Sequence, residues 1–211
     1  MPRLTAIRKQ ALDGMMKEAI FEATVAVLSD HGVEGMTMDR VALAAGVAKG
    51  SVYNYFRSKK DLLEFVYAKT IDPIFEDLVE TVATEQPAIE KLATHLRRML
   101  EHFAKHAKVF KLLFEDDTAQ GLLQSSQRSA REAGSQRLAD IIRQGIAEGV
   151  FRAADPLVLA SMYLGLCRGA FDSQPQLQER EQRESLHRLI LGTFLNGIAT
   201  ENGRVDWQTK K

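Results

Sequence analysis

The stretch Val41-Ala42-Leu43-Ala44-Ala45-Gly46-Val47-Ala48-Lys49-Gly50-Ser51-Val52-Tyr53-Asn54-Tyr55-Phe56 reads as two short helices joined by a tight turn. Val41, Ala42 and Ala45 set an apolar face at helical spacing. Gly46 stands where the first helix must stop, because glycine enters the left-handed region that closes a helix without a Cβ clash. Val47 is the candidate apolar plug between the two helices. Lys49 to Phe56 then mixes side chains fit for burial with side chains that reach outward. A helix pair joined by a glycine-containing turn is the helix-turn-helix pattern, whose second helix enters the major groove of DNA.

Upstream, Ala19, Ile20, Ala23, Val27 and Leu28 recur at steps of three and four between Met16 and His31, which predicts an amphipathic helix closed by Gly32. Thr37 is a candidate N-cap for the first helix of the pair. Arg40 rather than Glu follows it, so no capping box forms. Residues 1–14 are polar and basic without an apolar period and are expected to be a mobile arm able to lie along phosphates. Downstream, Ser58 caps a long helix beginning at Lys59, with Leu62, Leu63, Val66, Ile74, Leu78 and Val82 on its inner side. Pro73 is expected to kink this helix without ending it, because the apolar period resumes at once.

A second amphipathic series runs from Ile89 to Glu115, with a break expected near 105–108. Residues 122–149 are sparsely apolar, so their helix is expected to start out exposed. Asp155 and Pro156 form a cap and first turn. Leu157 to Phe171 is apolar around most of its circumference, a pattern that predicts burial on several sides. After a polar, mobile-looking stretch at 172–183, Leu186, Leu189, Ile190, Phe194, Leu195 and Ile198 give a final amphipathic helix. No period-two β-branched run appears anywhere, so the fold is expected to be all-α. The expected division is an arm (1–14), a helix-turn-helix module (15–62), a helical effector-binding and dimerisation body (63–200) and a tail (201–211).

With 211 residues, 45% hydrophobic and 27% charged, the composition is that of a soluble globular protein. No apolar run reaches the ~18 residues of a membrane span, and residues 1–8 lack the apolar core of a secretory signal. Cys167 is the one cysteine and has no intramolecular partner, which fits a reducing cytoplasm. Net charge is zero, but residues 1–60 hold nine Lys and Arg against six Asp and Glu, a local +3 that the remainder offsets with −3. A basic face on a neutral protein suits a DNA reader that must also release its site.

Gly35-x-Thr37, then Val41-Ala42-x-x-Ala45-Gly46-Val47-x-x-Gly50-Ser51-Val52-Tyr53-x-Tyr55-Phe56-x-x-Lys59-x-x-Leu62, resembles the signature of the TetR (tetracycline repressor-like) family of transcriptional regulators. The match covers about residues 15–65; beyond it the likeness is one of architecture. The resemblance implies an Ω-shaped homodimer that binds a palindromic operator and is released by a small molecule. It also implies that Tyr53, Tyr55 and Lys59 hold phosphates, which positions the module without reading sequence. Thr37 adds a hydroxyl and free N–H groups at a helix N-terminus. Lys49, Ser51 and Asn54 are the candidates for base edges, Lys favouring G and Asn favouring A. Gly50 permits close approach of the backbone, while Val52 and Phe56 belong to the module core. Ala48 departs from the Ser that many relatives carry as the cap of this helix.

The helical body offers Phe75, Met99, Phe103, Phe110, Phe114, Met162, Tyr163, Cys167 and Phe171 as candidate liners of an apolar or amphipathic ligand pocket; plain core packing explains the same residues equally well. Arg168 offers a guanidinium to an anionic ligand head, or to a carboxylate across a dimer interface. Leu157–Phe171 and Leu186–Ile198 are expected to form a four-helix bundle between two copies. His95, His102 and His106 share one helix edge and, with Glu101 or Asp116, make a conceivable metal site. A lone Cys167 on an apolar helix is more simply packing than a redox switch. No nucleophile, phosphate loop or paired-carboxylate motif stands out, so neither an enzyme nor a cofactor is expected.

The reading is therefore a ligand-responsive repressor with double-stranded DNA and a small effector as partners. A metal- or redox-sensing regulator, a constitutive DNA-binding protein and a helical interaction module are the alternatives. Ala48 supplies no side-chain oxygen, so the second helix lacks a cap worth on the order of 1 kcal/mol. Amide exchange at Lys49–Ser51 is expected to run faster than at Val52–Phe56; equal rates in the two segments would contradict this.

Overall fold

The computed structural model describes residues 2–173 and 177–196. Among these there are eight helices and no strand: α1 (Pro2–Gly35), α2 (Met38–Ala44), α3 (Lys49–Tyr55), α4 (Lys59–Ala83), α5 (Ala88–Glu115), α6 (Asp117–Ala147), α7 (Pro156–Ser173) and α8 (Arg180–Asn196). The chain groups into two compact units. One takes residues up to Phe75 together with His106–Arg131; the other takes Glu76–Lys105 and the described residues from Glu132 onward. The sequence division at 62/63 does not coincide with this grouping, because α4 runs unbroken through that point and through Pro73. The tail at 201–211 and the end of the body, including Ile198, lie outside the described residues.

In the first unit, α1 begins at Pro2 and not near Met16. The segment expected to be a loose arm is helical, since Ala6, Lys9, Gln10, Ala11 and Leu12 are strong helix formers even without an apolar stripe. Tertiary contacts then hold its inner end: the Tyr55 hydroxyl donates to Asp13 Oδ1 at 2.8 Å. Gly32 interrupts α1 as its position foretold, with φ 66°. Ile20, Leu28, Val33, Met36, Val41, Val52, Leu62, Leu63 and Val66 are fully or almost fully buried. Each such aliphatic side chain contributes about 1.5–3 kcal/mol of burial. Phe65 meets both Phe21, edge-on at 6.3 Å, and Phe56, at 4.9 Å. Lys69 pairs with Glu18 and lies over the Phe21 ring, 4.2 Å from its centre.

Ser58 caps α4 reciprocally. Its Oγ accepts from the Asp61 N–H at 3.1 Å and donates to Asp61 Oδ1, while the other carboxylate oxygen accepts from the Arg57 N–H. Further along the same unit, Tyr67, Phe114 and Phe110 form a run of rings at 5.9 and 5.7 Å. Burial pushes the Tyr67 phenol up to about 12. Asp116, read as part of a turn, caps α6 through the Ala119 N–H, so that helix starts at Asp117.

The second unit is built on Leu92, Leu96, Leu100, Leu138, Ile141, Ile142 and Tyr163, each at most 1% exposed. α5 changes direction at His106, whose φ of −116° and ψ of 20° leave the helical region inside the interval expected for a break. Lys91 is buried and spends its ammonium on the Val82 carbonyl at 2.9 Å and Gln144 Oε1 at 2.8 Å. Gln144 in turn donates to the Gln86 carbonyl, and Glu148 accepts from the Ala88 N–H at 3.0 Å, which fastens the connection between α4 and α5 to α6. Asp155 caps α7 through the Leu157 N–H at 2.8 Å.

α7 buries Ala160, Tyr163 and Cys167 within the chain. Val158 and Met162 are 55% and 53% exposed, and Leu157 and Leu166 are also exposed, so this chain alone leaves one face of the helix uncovered. Of the stretch at 172–183, residues 174–176 lie outside the described residues; beyond them Leu177 is buried, Gln178 bonds the Ala104 carbonyl, and α8 is already formed from Arg180.

At the end of α6, the N–H groups of Val150 and Phe151 both reach the Gly145 carbonyl at 3.0 Å. This turn lays the Phe151 ring where a Cβ at residue 145 would overlap it. Gly145→Ala is expected to destabilise the protein by about 1–3 kcal/mol through overpacking; an unchanged urea midpoint would contradict this.

Candidate nucleic-acid interface

Two backbone devices fix α2. At its start the Thr37 hydroxyl accepts from the Arg40 N–H at 3.2 Å. At its end the Gly46 N–H reaches the Leu43 carbonyl (3.2 Å) and the Val47 N–H reaches the Ala42 carbonyl (3.0 Å), with Gly46 at φ 67°. That pair of bonds is a Schellman closure, which satisfies carbonyls the helix would otherwise leave orphaned. Val47 is half-buried between the helices. α3 starts at Lys49, and Ala48 makes no side-chain cap bond, as its methyl dictates.

α3 has two faces. Val52 and the following Phe56 are buried at 0% and 5% exposure. Lys49, Gly50, Tyr53 and Asn54 are exposed, and Ser51 is half-buried. These are the side chains the sequence assigned to base edges, backbone approach and one phosphate. Thr37 is exposed and half-buried Lys59 reaches the Glu34 carbonyl at 3.3 Å. Tyr55 differs from its reading: it is half-buried, and its hydroxyl is committed to Asp13.

Electrostatics add a feature that periodicity does not show. Lys49 Nζ sits 2.7 Å from Asp39 Oδ1, so the first side chain of α3 is tied to α2. The hydrogen bond and charge of Asp39 hold the Lys49 ammonium above its usual pKa. The Asp13 carboxylate acts in the same direction on the Tyr55 phenol. Arg40 donates to the Gly35 carbonyl, closing the loop before α2.

The candidate ligand liners are divided between the two units. Phe75, Phe110 and Phe114 belong to the first unit; Met99, Phe103, Tyr163, Cys167, Arg168 and Phe171 belong to the second. Phe103 and Phe171 stack at 3.9 Å. Tyr163 is buried with its hydroxyl 3.4 Å from the Leu92 carbonyl. Arg168 and Met162 are exposed. Burial pushes the Cys167 thiol up to about 12, which keeps it protonated and unreactive. His95 is buried, with Nδ1 3.4 Å from Asp77 Oδ2, and Arg98 binds the same carboxylate. Burial alone would raise Asp77, but the bonds from His95 and Arg98 outweigh it and hold the carboxyl below its usual range. Among the described residues no cluster of three or more His, Cys, Asp or Glu is arranged to hold a metal ion, and no helix is long and apolar enough to cross a membrane. One cleft between α5 and α8 contains none of the liners chosen from sequence.

Residues 20–66 match the family model described as bacterial regulatory proteins, tetR family, and residues 85–172 match that of the tetracyclin repressor-like C-terminal domain. The HTH-type transcriptional repressor SCO4008 of Streptomyces coelicolor is 29% identical over 140 residues, spanning 66% of this chain and 69% of that protein. The crystal structure of the regulator FadR from Bacillus subtilis in complex with stearoyl-CoA matches with a TM-score of 0.74 at 21% identity, over 86% of this chain and 98% of that one. AibR in complex with isovaleryl coenzyme A and operator DNA matches with a TM-score of 0.68 at 21% identity, over 85% and 98%.

The Lys49–Asp39 pair has a direct readout. With its pKa raised, the ammonium keeps its charge, and the pair, until pH rises through that elevated value. In Asp39→Asn the Lys49 pKa is expected to fall toward the ordinary lysine value of about 10.4. A lysine side-chain NMR titration measures this, and an identical Lys49 curve in both proteins would contradict the pairing.

Proposed function

This chain belongs to the TetR family of bacterial regulatory proteins, and we propose that it is a repressor that reads a palindromic operator through α3. It is a ligand-responsive, DNA-binding transcriptional regulator. The observation that carries the assignment of α3 is its division: Val52 and Phe56 are buried while Lys49, Gly50, Tyr53 and Asn54 share the exposed side. In this reading Lys49, Ser51 and Asn54 face base edges, and Gly50 lets the helix approach closely. Thr37, Tyr53 and Lys59 hold phosphates. Tyr55 acts differently from its neighbours: its hydroxyl on Asp13 ties α3 to α1 and so sets the angle at which the helix is presented.

The dimer uses the uncovered face of α7, where Val158, Met162 and Leu166 recur every four residues, together with Leu189 of α8, which is 62% exposed. A contiguous apolar surface of this kind calls for a partner, and a second copy supplies it. Two such modules then address half-sites about one helical turn of DNA apart, ~34–36 Å, or somewhat more. The effector is an apolar or amphipathic molecule held in the helical body. It lowers operator affinity only as far as it prefers the conformation with the wrong half-site spacing. Fold neighbours carrying acyl-CoA esters make stearoyl-CoA a suitable first probe. A thiol switch at Cys167 is disfavoured by its burial and raised pKa.

The test is anisotropy titration against the winner of a random-library selection. Asn54→Ala is expected to cost about 1–3 kcal/mol on the selected site and to relax preference at one base pair. Lys59→Ala is expected to weaken binding to all sequences alike and to flatten the salt dependence by about one ion. If both variants bound like the wild type, α3 would not be the reading helix.

A further inference from the structure

In the second unit, α5 and α8 enclose a cleft of about 480 Å³, within the size range of small-molecule sites. α5 contributes Arg97, Leu100 and Glu101; α8 contributes Arg180, Arg183, Glu184 and His187. We propose that this cleft is a binding site for a small organic anion bearing at least two phosphate or carboxylate groups. None of the apolar liners read from sequence lines it, and the proposal does not depend on the effector reading above.

Charge gives the first argument. Three guanidinium groups and two carboxylates line the cleft, and one pairing between its two walls is loose. Arg97 Nε and Glu184 Oε1 are 3.9 Å apart, with side chains 51% and 35% exposed. That distance lies beyond a hydrogen bond, so an incoming anion displaces little.

Preorganisation gives the second. Arg183 Nη1 donates to the Leu177 carbonyl at 2.8 Å and to the Gln178 carbonyl at 2.7 Å. These neutral acceptors fix the guanidinium plane without cancelling its charge, and leave its remaining N–H groups for a ligand. An arginine held this way loses little rotamer freedom when an anion arrives. Arg180 makes no hydrogen bond or ion pair recorded among the described residues. His187 is buried, with Nε2 2.8 Å from the Ala93 carbonyl, so the ring is fixed with its proton on Nε2. Leu100 supplies an apolar floor, and Glu101 supplies an acceptor for a ligand hydroxyl. The cation excess disfavours a metal ion and favours planar oxyanions, which guanidinium groups bind in bidentate fashion.

Position gives the third. At 3.6 residues per turn, Arg180, Arg183, Glu184 and His187 fall on one side of α8 and Leu189 on the opposite side. A partner covering Leu189 therefore leaves the α8 wall of the cleft open.

The experiment is calorimetric titration of the full chain with citrate and, separately, inorganic pyrophosphate at constant ionic strength. Saturable binding of one anion per chain is expected for at least one of them, and the tighter of the two identifies the group preferred. Arg180→Ala, which removes no hydrogen bond or ion pair among the described residues, is expected to weaken binding about tenfold or more. Arg97→Ala is expected to do the same, and Arg143→Ala, whose partner is Asp140 on α6, is expected to leave affinity unchanged. Absence of saturable heat with both anions would overturn the proposal. So would affinities that Arg180→Ala and Arg97→Ala leave untouched, or that Arg143→Ala lowers as much.

Discussion

The left-handed backbone at Gly46 is the constraint on which the DNA-facing module rests. With φ at 67°, its N–H and that of Val47 turn back onto carbonyls of α2, so the helix stops and α3 begins three residues later. A residue with a Cβ forced into this region loses roughly 1–2 kcal/mol. The cost would not stay local. Val41 and Val52, both with no exposed surface, lie on either side of the turn. If the closure slips, the two valines lose their common burial and the outward face of α3 loses its aim. One backbone angle thus sets both the core of the module and the direction of the exposed face of α3.

Carboxylates do the second part of the positioning. Asp39 holds Lys49, Asp13 holds Tyr55, and Asp61 closes the cap at Ser58. Each belongs to a different element from the group it holds or sits at a helix start, so together they triangulate α3 between α1, α2 and the beginning of α4. The pairs at Lys49 and Tyr55 are weakly screened from water and contribute geometry more than stability. In the second unit the analogous work is done by neutral acceptors around Lys91, where a buried ammonium joins the ends of α4, α5 and α6.

The module was legible in sequence because its determinants are local: a cap at Thr37, a glycine at Gly46, a cap at Ser58 and apolar residues at helical spacing. The helicity of residues 2–14 was not, since propensity without periodicity leaves no stripe to detect. Nor was the contact of Tyr55 with Asp13, which spans 42 residues of sequence. α7 was legible as apolar but not as partly uncovered, because composition does not say which face the chain itself can fill. The α5–α8 cleft gathers Arg97 with Arg180 and Arg183, residues too far apart in sequence for any pattern to join.

The Lys49–Asp39 pair has a consequence for how firmly such a protein grips a polyanion. A lysine that neutralises a phosphate releases an ion condensed on the DNA into bulk water, and this mixing entropy makes affinity steeply dependent on salt. Lys49 arrives with a counterion bolted to the same polypeptide. A polyanion that draws on this ammonium must first displace that carboxylate, so part of its attraction goes into breaking the pair. The built-in competitor weakens the hold of any polyanion on this side chain and keeps such a contact easy to leave.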